Sequence, residues 1–254
     1  MIKYSISAII PMYNEEENAR IIIRSADNIL RQVAADWEII VVESGSKDHT
    51  RETVIEEARD NPKVVPLFQD KREGMGSALK LGYSKVSKEL VWHIESDSPF
   101  DLNDIKKALV YFDKYDAVVG YRTSGNKSSE SSSWAYSNMN YLENFIRGSF
   151  HIGFNLLIKV LFGKQFKDVN FSFKVFKAEF LRKISLSSNG WFIDAELLLE
   201  LVKAGGRIKE IGIEYKRREL GKSTIRLGTP IKVFKEMLAY RAKRWNKSMK
   251  GLEK

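Results

Sequence analysis

The order of its elements predicts an α/β fold: a mostly parallel sheet with helices on both faces, followed by a basic amphipathic C-terminal helix. Two observations carry this. Up to about residue 120, short β-rich runs alternate with runs of helical period, and repeated β-α units build parallel sheets. The chain also has 254 residues, 43% of them hydrophobic and 30% charged. That suffices for a large core without staples and is too apolar for general disorder.

Taken in order, Tyr4–Ile10 reads as a strand and Glu15–Val33 as a helix with apolar positions at Ile22, Ile29 and Val33. Glu38–Val42 is a strand of the buried type; Thr50–Arg59 is a helix capped by Asp48 or Ser46. Val64–Leu67 is a short strand, Gly76–Val86 a helix and Leu90–Ile94 a strand. Leu102–Phe112 is a helix with Asp101 as its N-cap, and Ala117–Gly120 a strand. The Ser-rich Thr123–Ser133 reads as a lid or acceptor-binding loop, since it is too long for a tight turn. Trp134–Gly163 follows as an apolar helical stretch. Phe171–Phe176 and Ile208–Glu214 are further strands, and Phe192–Ala204 is a helix ended by Gly205 and Gly206. Pro230–Met249 is the basic helix, so residues 1–229 are expected to form the body and 230–254 a tail.

The absence of cysteine excludes thiolate zinc sites, iron–sulfur clusters and thiol catalysis. The three histidines, His49, His93 and His151, are scattered, so a metal would be held mainly by oxygen. The net charge of +9 points to an acidic partner. It is uneven: Ile231–Lys254 holds eight basic and two acidic residues. With Leu238, Tyr240 and Trp245 among those charges, the tail reads either as a contact for anionic lipid or as a solvated helix packed on the body. No groove-binding motif accompanies it, so nucleic acid is not expected. Phe145–Phe162 is core or lies in a membrane interface. The apolar Ile152–Phe162 holds Asn155 and Lys159 and is too short for a span, and the amino terminus is no signal peptide. A cytoplasmic location, peripheral to a membrane, is the expectation.

In such sheets ligands bind beyond the carboxyl ends of the strands. Glu95-Ser96-Asp97 directly follows a strand. Two carboxylates at that spacing can face one Mg²⁺ or Mn²⁺, or form an acidic turn capping the next helix. Pro11-Met12-Tyr13-Asn14-Glu15 follows the first strand and Glu43-Ser44-Gly45-Ser46-Lys47-Asp48 the second. Tyr13 could stack on a base while Glu15 and Glu43 accept hydrogen bonds from base or ribose; each turn could equally cap its helix. Gly74-Met75-Gly76 is either a plain turn or a place where backbone meets a phosphate. His93 reads as a packed residue, and Trp191 as a sugar platform or core.

These motifs resemble, in order, the family 2 glycosyltransferases of the GT-A (Rossmann-like) fold, most closely the dolichyl-phosphate mannose synthase-like branch that glycosylates polyprenyl phosphates. The resemblance runs from about Ser5 to about Ile225. It rests on Ile9 to Asn18, Glu38 to Asp48, Gly74 to Gly82, Glu95-Ser96-Asp97, Val118 to Arg122, Asp168 to Phe176, Phe192 to Leu197 and Arg218 to Ser223. Glu95 stands where the family has Asp, Glu43-Ser44 where it has two Asp, and Ser172 where it has Gly.

The resemblance implies an inverting transfer from a nucleoside-diphosphate sugar to a polyprenyl phosphate at the cytoplasmic face of a membrane. Asp97 and Glu95 would hold Mg²⁺ or Mn²⁺; Arg122, Arg218 and Ser223 would bind phosphate. Pro11, Tyr13, Glu15, Glu43, Gly74 and Ser96 would surround the nucleotide. Asp97, Arg122, Asp194 and Arg218 are the expected catalytic set, with Asp194 either a base, an acceptor-orienting group or a complement to its helix's positive end. A transfer to a glycan hydroxyl and a non-catalytic sugar-nucleotide-binding module are the alternatives.

Overall fold

The computed structural model describes residues 3–97, 99–123, 153–215 and 229–252. In chain order they form β1 (Ser5–Met12), α1 (Glu16–Val33), β2 (Asp36–Ser44), α2 (Thr50–Asp60), β3 (Val64–Gln69), α3 (Met75–Tyr83) and β4 (Leu90–His93). A 3-10 turn at Leu102–Asp104 leads into α4 (Ile105–Leu109) and β5 (Ala117–Thr123). There follow α5 (residues 153–162), β6 (Lys174–Lys177), a 3-10 turn at Ala178–Arg182, α6 (Ile193–Lys203), β7 (Ile208–Glu214) and α7 (Thr229–Leu252).

The strands pair in the order β3-β2-β1-β4-β6-β5-β7. β1, β2, β3 and β4 are mutually parallel, β6 runs antiparallel to both β4 and β5, and β7 is parallel to β5. The carboxyl ends of β1, β2, β4, β5 and β7 therefore share one edge with the amino end of β6. The chain goes from β1 outward to β2 and β3, then returns on β1's other side as β4. The crevice between those two directions is where α/β sheets bind ligands.

Alternation along the strands divides the core. Ile6, Ala8, Ile10 and Met12 of β1, with Ile39 and Val41 of β2, face α1 and Val54 of α2. Ile9, Ile40 and Val42 face the opposite layer, formed by α3, α5, α6 and α7. A period of two in β1 and β2 thus places helices on both faces.

The sequence and structure differ in four places. Leu102–Phe112 is not one helix. Asp101 Oδ1 accepts the Asn103 N–H at 2.9 Å and starts a 3-10 turn. After Leu109 the bonds again span three residues, from Tyr111 N–H to the Ala108 carbonyl and from Lys114 N–H to the Tyr111 carbonyl. Phe171–Phe173 do not join β6: the Phe171 carbonyl accepts the Lys174 ammonium, and both rings pack edge-on against Phe100. Pro11 is not in a turn but inside β1, opposite Val42. Finally, the boundary expected at 229/230 falls before a helix whose first turns belong to the core, for Val233, Met237 and Tyr240 are buried in the second layer. Within Phe145–Phe162 only the last ten residues are described; Phe154 and Ile158 are core there, while Leu156 and Val160 are exposed.

Candidate active site

An open cleft with about 600 Å³ of empty space lies at the shared strand edge. Pro11, Met12, Tyr13 and Glu15 enter it from β1 and its turn, Ser44 from β2, and Glu95, Ser96 and Asp97 from the turn after β4. Arg72, Gly74, Met75 and Ala78 come from the start of α3, and Trp191 from the start of α6.

The first two turns are stitched together. Asn14 has a φ of 53°, in the left-handed region that Asn tolerates better than most residues. Its N–H donates to Ser46 Oγ at 3.0 Å, and its Oδ1 accepts the Lys47 N–H at 2.9 Å. The Glu15 N–H donates to Thr50 Oγ1 at 2.8 Å, and Glu15 Oε2 accepts from Asn18 at 2.8 Å. Asp48 Oδ1 accepts both the N–H and the hydroxyl of Thr50, but the N-cap of α2 is His49 rather than Asp48 or Ser46.

Glu43 is buried and does not line the cleft; Ser44 does. One Glu43 oxygen accepts the Ser46 N–H and the other accepts Arg51 Nε, each at 2.5 Å. Arg51 continues to the Gln69 carbonyl at 2.7 Å, tying the second turn to β3. Glu43 therefore shapes the turn rather than offering its carboxylate to a base or ribose. Gly74 lines the cleft and also meets neighbouring backbone. Its φ is 109°, and a Cβ would lie 2.3 Å from the Asn189 carbonyl oxygen. The backbone that needs this space is the segment before α6.

Glu95 and Asp97 stand together at the cleft, and the Glu95 carboxyl is pushed up to about 8. Loss of hydration is the largest cause, followed by the negative charges of Asp97 and Asp194; Arg122 and Lys174 oppose it. A buried carboxyl held up beside a second carboxylate fits a divalent cation, which would relieve both the repulsion and the burial. Among the described residues no group of three or more acidic or imidazole side chains could enclose a metal, so substrate and water oxygens would complete the shell.

Behind this pair lies a buried polar cluster. Lys174 Nζ donates to Asp194 Oδ1 at 2.7 Å and to the Phe171 carbonyl at 2.5 Å. His93 is fully buried, with Nδ1 3.8 Å from Asp194 Oδ1, and burial lowers its pKa to about 4, so the ring is neutral. Asp194 is thus enclosed and ion-paired; it is not a cleft residue. Arg122, at the end of β5, pairs through Nε with Asp168 Oδ2 at 3.1 Å. Its guanidinium lies 5.5 Å from both the Phe171 and Tyr215 ring centroids. Arg218 and Ser223 lie outside the described residues.

Sequence reasoning missed Arg72, Arg51 and Lys174. The Arg72 guanidinium stacks 4.1 Å from the Tyr13 ring centroid and adds positive charge to the cleft. Its signal was its place after the third strand, at the edge already singled out for the others.

The class is that of a doubly wound α/β protein with a cleft at its switch point and an acidic pair on that cleft. The family model "Glycosyl transferase family 2" matches residues 7–185, and the chain belongs to that family. It is 29% identical to a dolichyl-phosphate β-glucosyltransferase of Trichomonas vaginalis over 87% of this chain and 68% of that one. An undecaprenyl-phosphate mannosyltransferase of Micrococcus luteus is 24% identical over 85% of each chain. In fold it is similar to the glucosyl-3-phosphoglycerate synthase of Mycobacterium tuberculosis, crystallised with Mn²⁺, uridine diphosphate and phosphoglyceric acid. That match has a TM-score of 0.68 at 18% identity and covers 94% of this chain and 78% of that one. The expected GT-A architecture is therefore observed.

Proposed function

We propose that this glycosyltransferase moves a sugar from a nucleoside diphosphate to a polyprenyl phosphate at an anionic membrane surface, inverting the anomeric carbon. The observation that carries the reading is the cleft, which joins Tyr13, Glu15, Ser44 and Arg72 to the acidic pair Glu95 and Asp97. The lipid-phosphate substrates named for the similar sequences support the acceptor.

A phosphate oxygen of the acceptor attacks the anomeric carbon as its bond to the donor's β-phosphate oxygen breaks, and the nucleoside diphosphate leaves with the electron pair. Tyr13 presents its ring face to a base, backed by Arg72, while Glu15 and Ser44 meet base or ribose. By the family resemblance Ser96, Arg122, Arg218 and Ser223 would meet the phosphates, for which a guanidinium fork is suited. Mg²⁺ or Mn²⁺ held by Asp97 and Glu95 would stabilise the departing diphosphate charge.

The membrane reading rests on α5 and α7. Both pack on the second core and meet where the Phe162 and Tyr240 rings lie 5.6 Å apart. Outward they expose Leu156 and Val160, and Ile231, Phe234 and Leu238. Lys159, Lys232, Lys235 and Lys243 are exposed on the same helices. Apolar side chains among lysines suit the boundary of an anionic lipid layer. Among the described residues no helix is long and apolar enough to cross a membrane.

The test is incubation with a panel of radiolabelled sugar nucleotides, with and without polyprenyl phosphate. Label passing to lipid for one donor supports the reading. Transfer only to a glycan hydroxyl would replace it, and the absence of all turnover would leave a binding module.

A further inference from the structure

We propose that Glu236 of α7 is a positioning residue for the donor cleft, holding the turn that carries Trp191. This rests on the proposed reading of the cleft as a sugar-nucleotide site. The segment before α6 is held from three sides. Glu196 accepts the Ser187 N–H at 2.7 Å and the Ser188 N–H at 2.8 Å. The Asn189 carbonyl accepts the Ser77 N–H at 3.2 Å, and its side chain accepts Lys80 at 2.7 Å. These bonds fix the chain before Trp191.

The two amides on either side of Trp191 go elsewhere, to α7. The Gly190 N–H donates to Glu236 Oε1 at 2.7 Å and the Phe192 N–H to Oε2 at 3.3 Å. A helix start leaves N–H groups without partners inside the helix, and a carboxylate there is also favoured by the helix dipole. The fit is close, since a Cβ at Gly190 would stand 2.7 Å from both carboxylate oxygens. α7 is itself anchored, with Val233 and Met237 buried and the Tyr240 hydroxyl donating to Glu200 at 2.6 Å. Glu236 is one of two acids among eight basic residues from Ile231 to Lys254. It fastens to the cleft wall the same helix that offers Ile231, Phe234 and Leu238 to a lipid surface.

A residue that only caps α6 would alter stability and leave the cleft unchanged; a positioning residue acts through Trp191. The experiment compares Glu236→Ala, Glu236→Gln, Trp191→Ala and the double variant Trp191→Ala/Glu236→Ala, each checked by thermal melting. Donor affinity is read by calorimetry, using whichever sugar nucleotide the panel selects, with Mg²⁺ present. Glu236→Ala should weaken donor binding by about tenfold, equivalent to about 1.4 kcal/mol. It should raise the donor KM more than it lowers kcat. Glu236→Gln keeps one acceptor oxygen but turns an amide N–H donor toward the other backbone N–H, so it should lose a smaller, measurable part of the affinity, and that loss is the readout if the alanine variant does not fold. In the Trp191→Ala background the Glu236→Ala change should add nothing further to the loss of affinity. Unchanged donor affinity in both Glu236 variants, or losses that add in full, would overturn the proposal. A parent protein that binds no sugar nucleotide would instead remove the reading of the cleft, and this proposal with it.

Discussion

Carboxylates that look alike in the sequence do different work. Asp97 and Glu95 border the cleft, and burial, helped by the charge of Asp97, pushes the Glu95 carboxyl up to about 8. Asp97→Ala should abolish turnover and its dependence on Mg²⁺ or Mn²⁺; undiminished turnover of the parent in excess chelator would refute the metal role. Glu43 is enclosed and serves Ser46 and Arg51. Glu43→Ala leaves an amide and a guanidinium without their acceptor, and bonds to charged groups are each worth about 1.5–3 kcal/mol. Thermal melting should show a loss of about that size, with nucleotide binding weakened only through the turn. Asp194 pairs with Lys174 inside the protein. Asp194→Asn should therefore destabilise by about 3–5 kcal/mol, as expected when a buried ammonium loses its partner. Replacing both residues with apolar ones of similar volume should recover stability. A fully stable Asp194→Asn variant with turnover down a thousandfold would instead make Asp194 the base of a hydroxyl-acceptor enzyme.

What the sequence made legible follows interaction range. β7 reads correctly to the residue, Ile208–Glu214, because Ile211 and Ile213 alternate with polar neighbours and Gly205-Gly206 ends the preceding helix. The acidic turn after β4 and the polar turns after β1 and β2 were visible because short strands fix which edge they occupy. The Lys174–Asp194 pair and the hold of Glu236 on Gly190, 46 residues away, have no local pattern. Nor does sequence separate a tail from a core helix when one α7 stripe carries Ile231, Phe234 and Leu238 and another Val233, Met237 and Tyr240. The stripes now predict different outcomes. Met237→Ala should cost about 2–5 kcal/mol, as for other buried large-to-small changes, measured by denaturant unfolding. Phe234→Glu with Leu238→Glu should leave stability nearly unchanged and reduce sedimentation with anionic liposomes. Deleting α7 would uncover the second core, so truncation cannot isolate its membrane role.

Over the whole molecule the charge and the chemistry occupy different places. The cleft lies at one edge of the sheet, whereas six of the nine net positive charges lie from Ile231 onward. If the basic helix serves to bring the cleft to a lipid acceptor, salt should act on the encounter rather than on the transfer. Raising ionic strength from about 0.1 to 1 M shortens the screening length from about 10 to 3 Å. Each Lys or Arg near an anionic surface contributes about 1 kcal/mol, so even a partial loss over several lysines raises the acceptor KM by about tenfold or more. That rise should appear with polyprenyl phosphate embedded in anionic vesicles. It should be much smaller with a short-chain, water-soluble polyprenyl phosphate, because donor and acceptor phosphates are then screened without any surface to lose. The ratio of the two KM values therefore isolates the surface from the site. A ratio that stays constant across the salt range would show that the basic helix serves the fold alone, and that acceptor and enzyme meet without help from lipid charge.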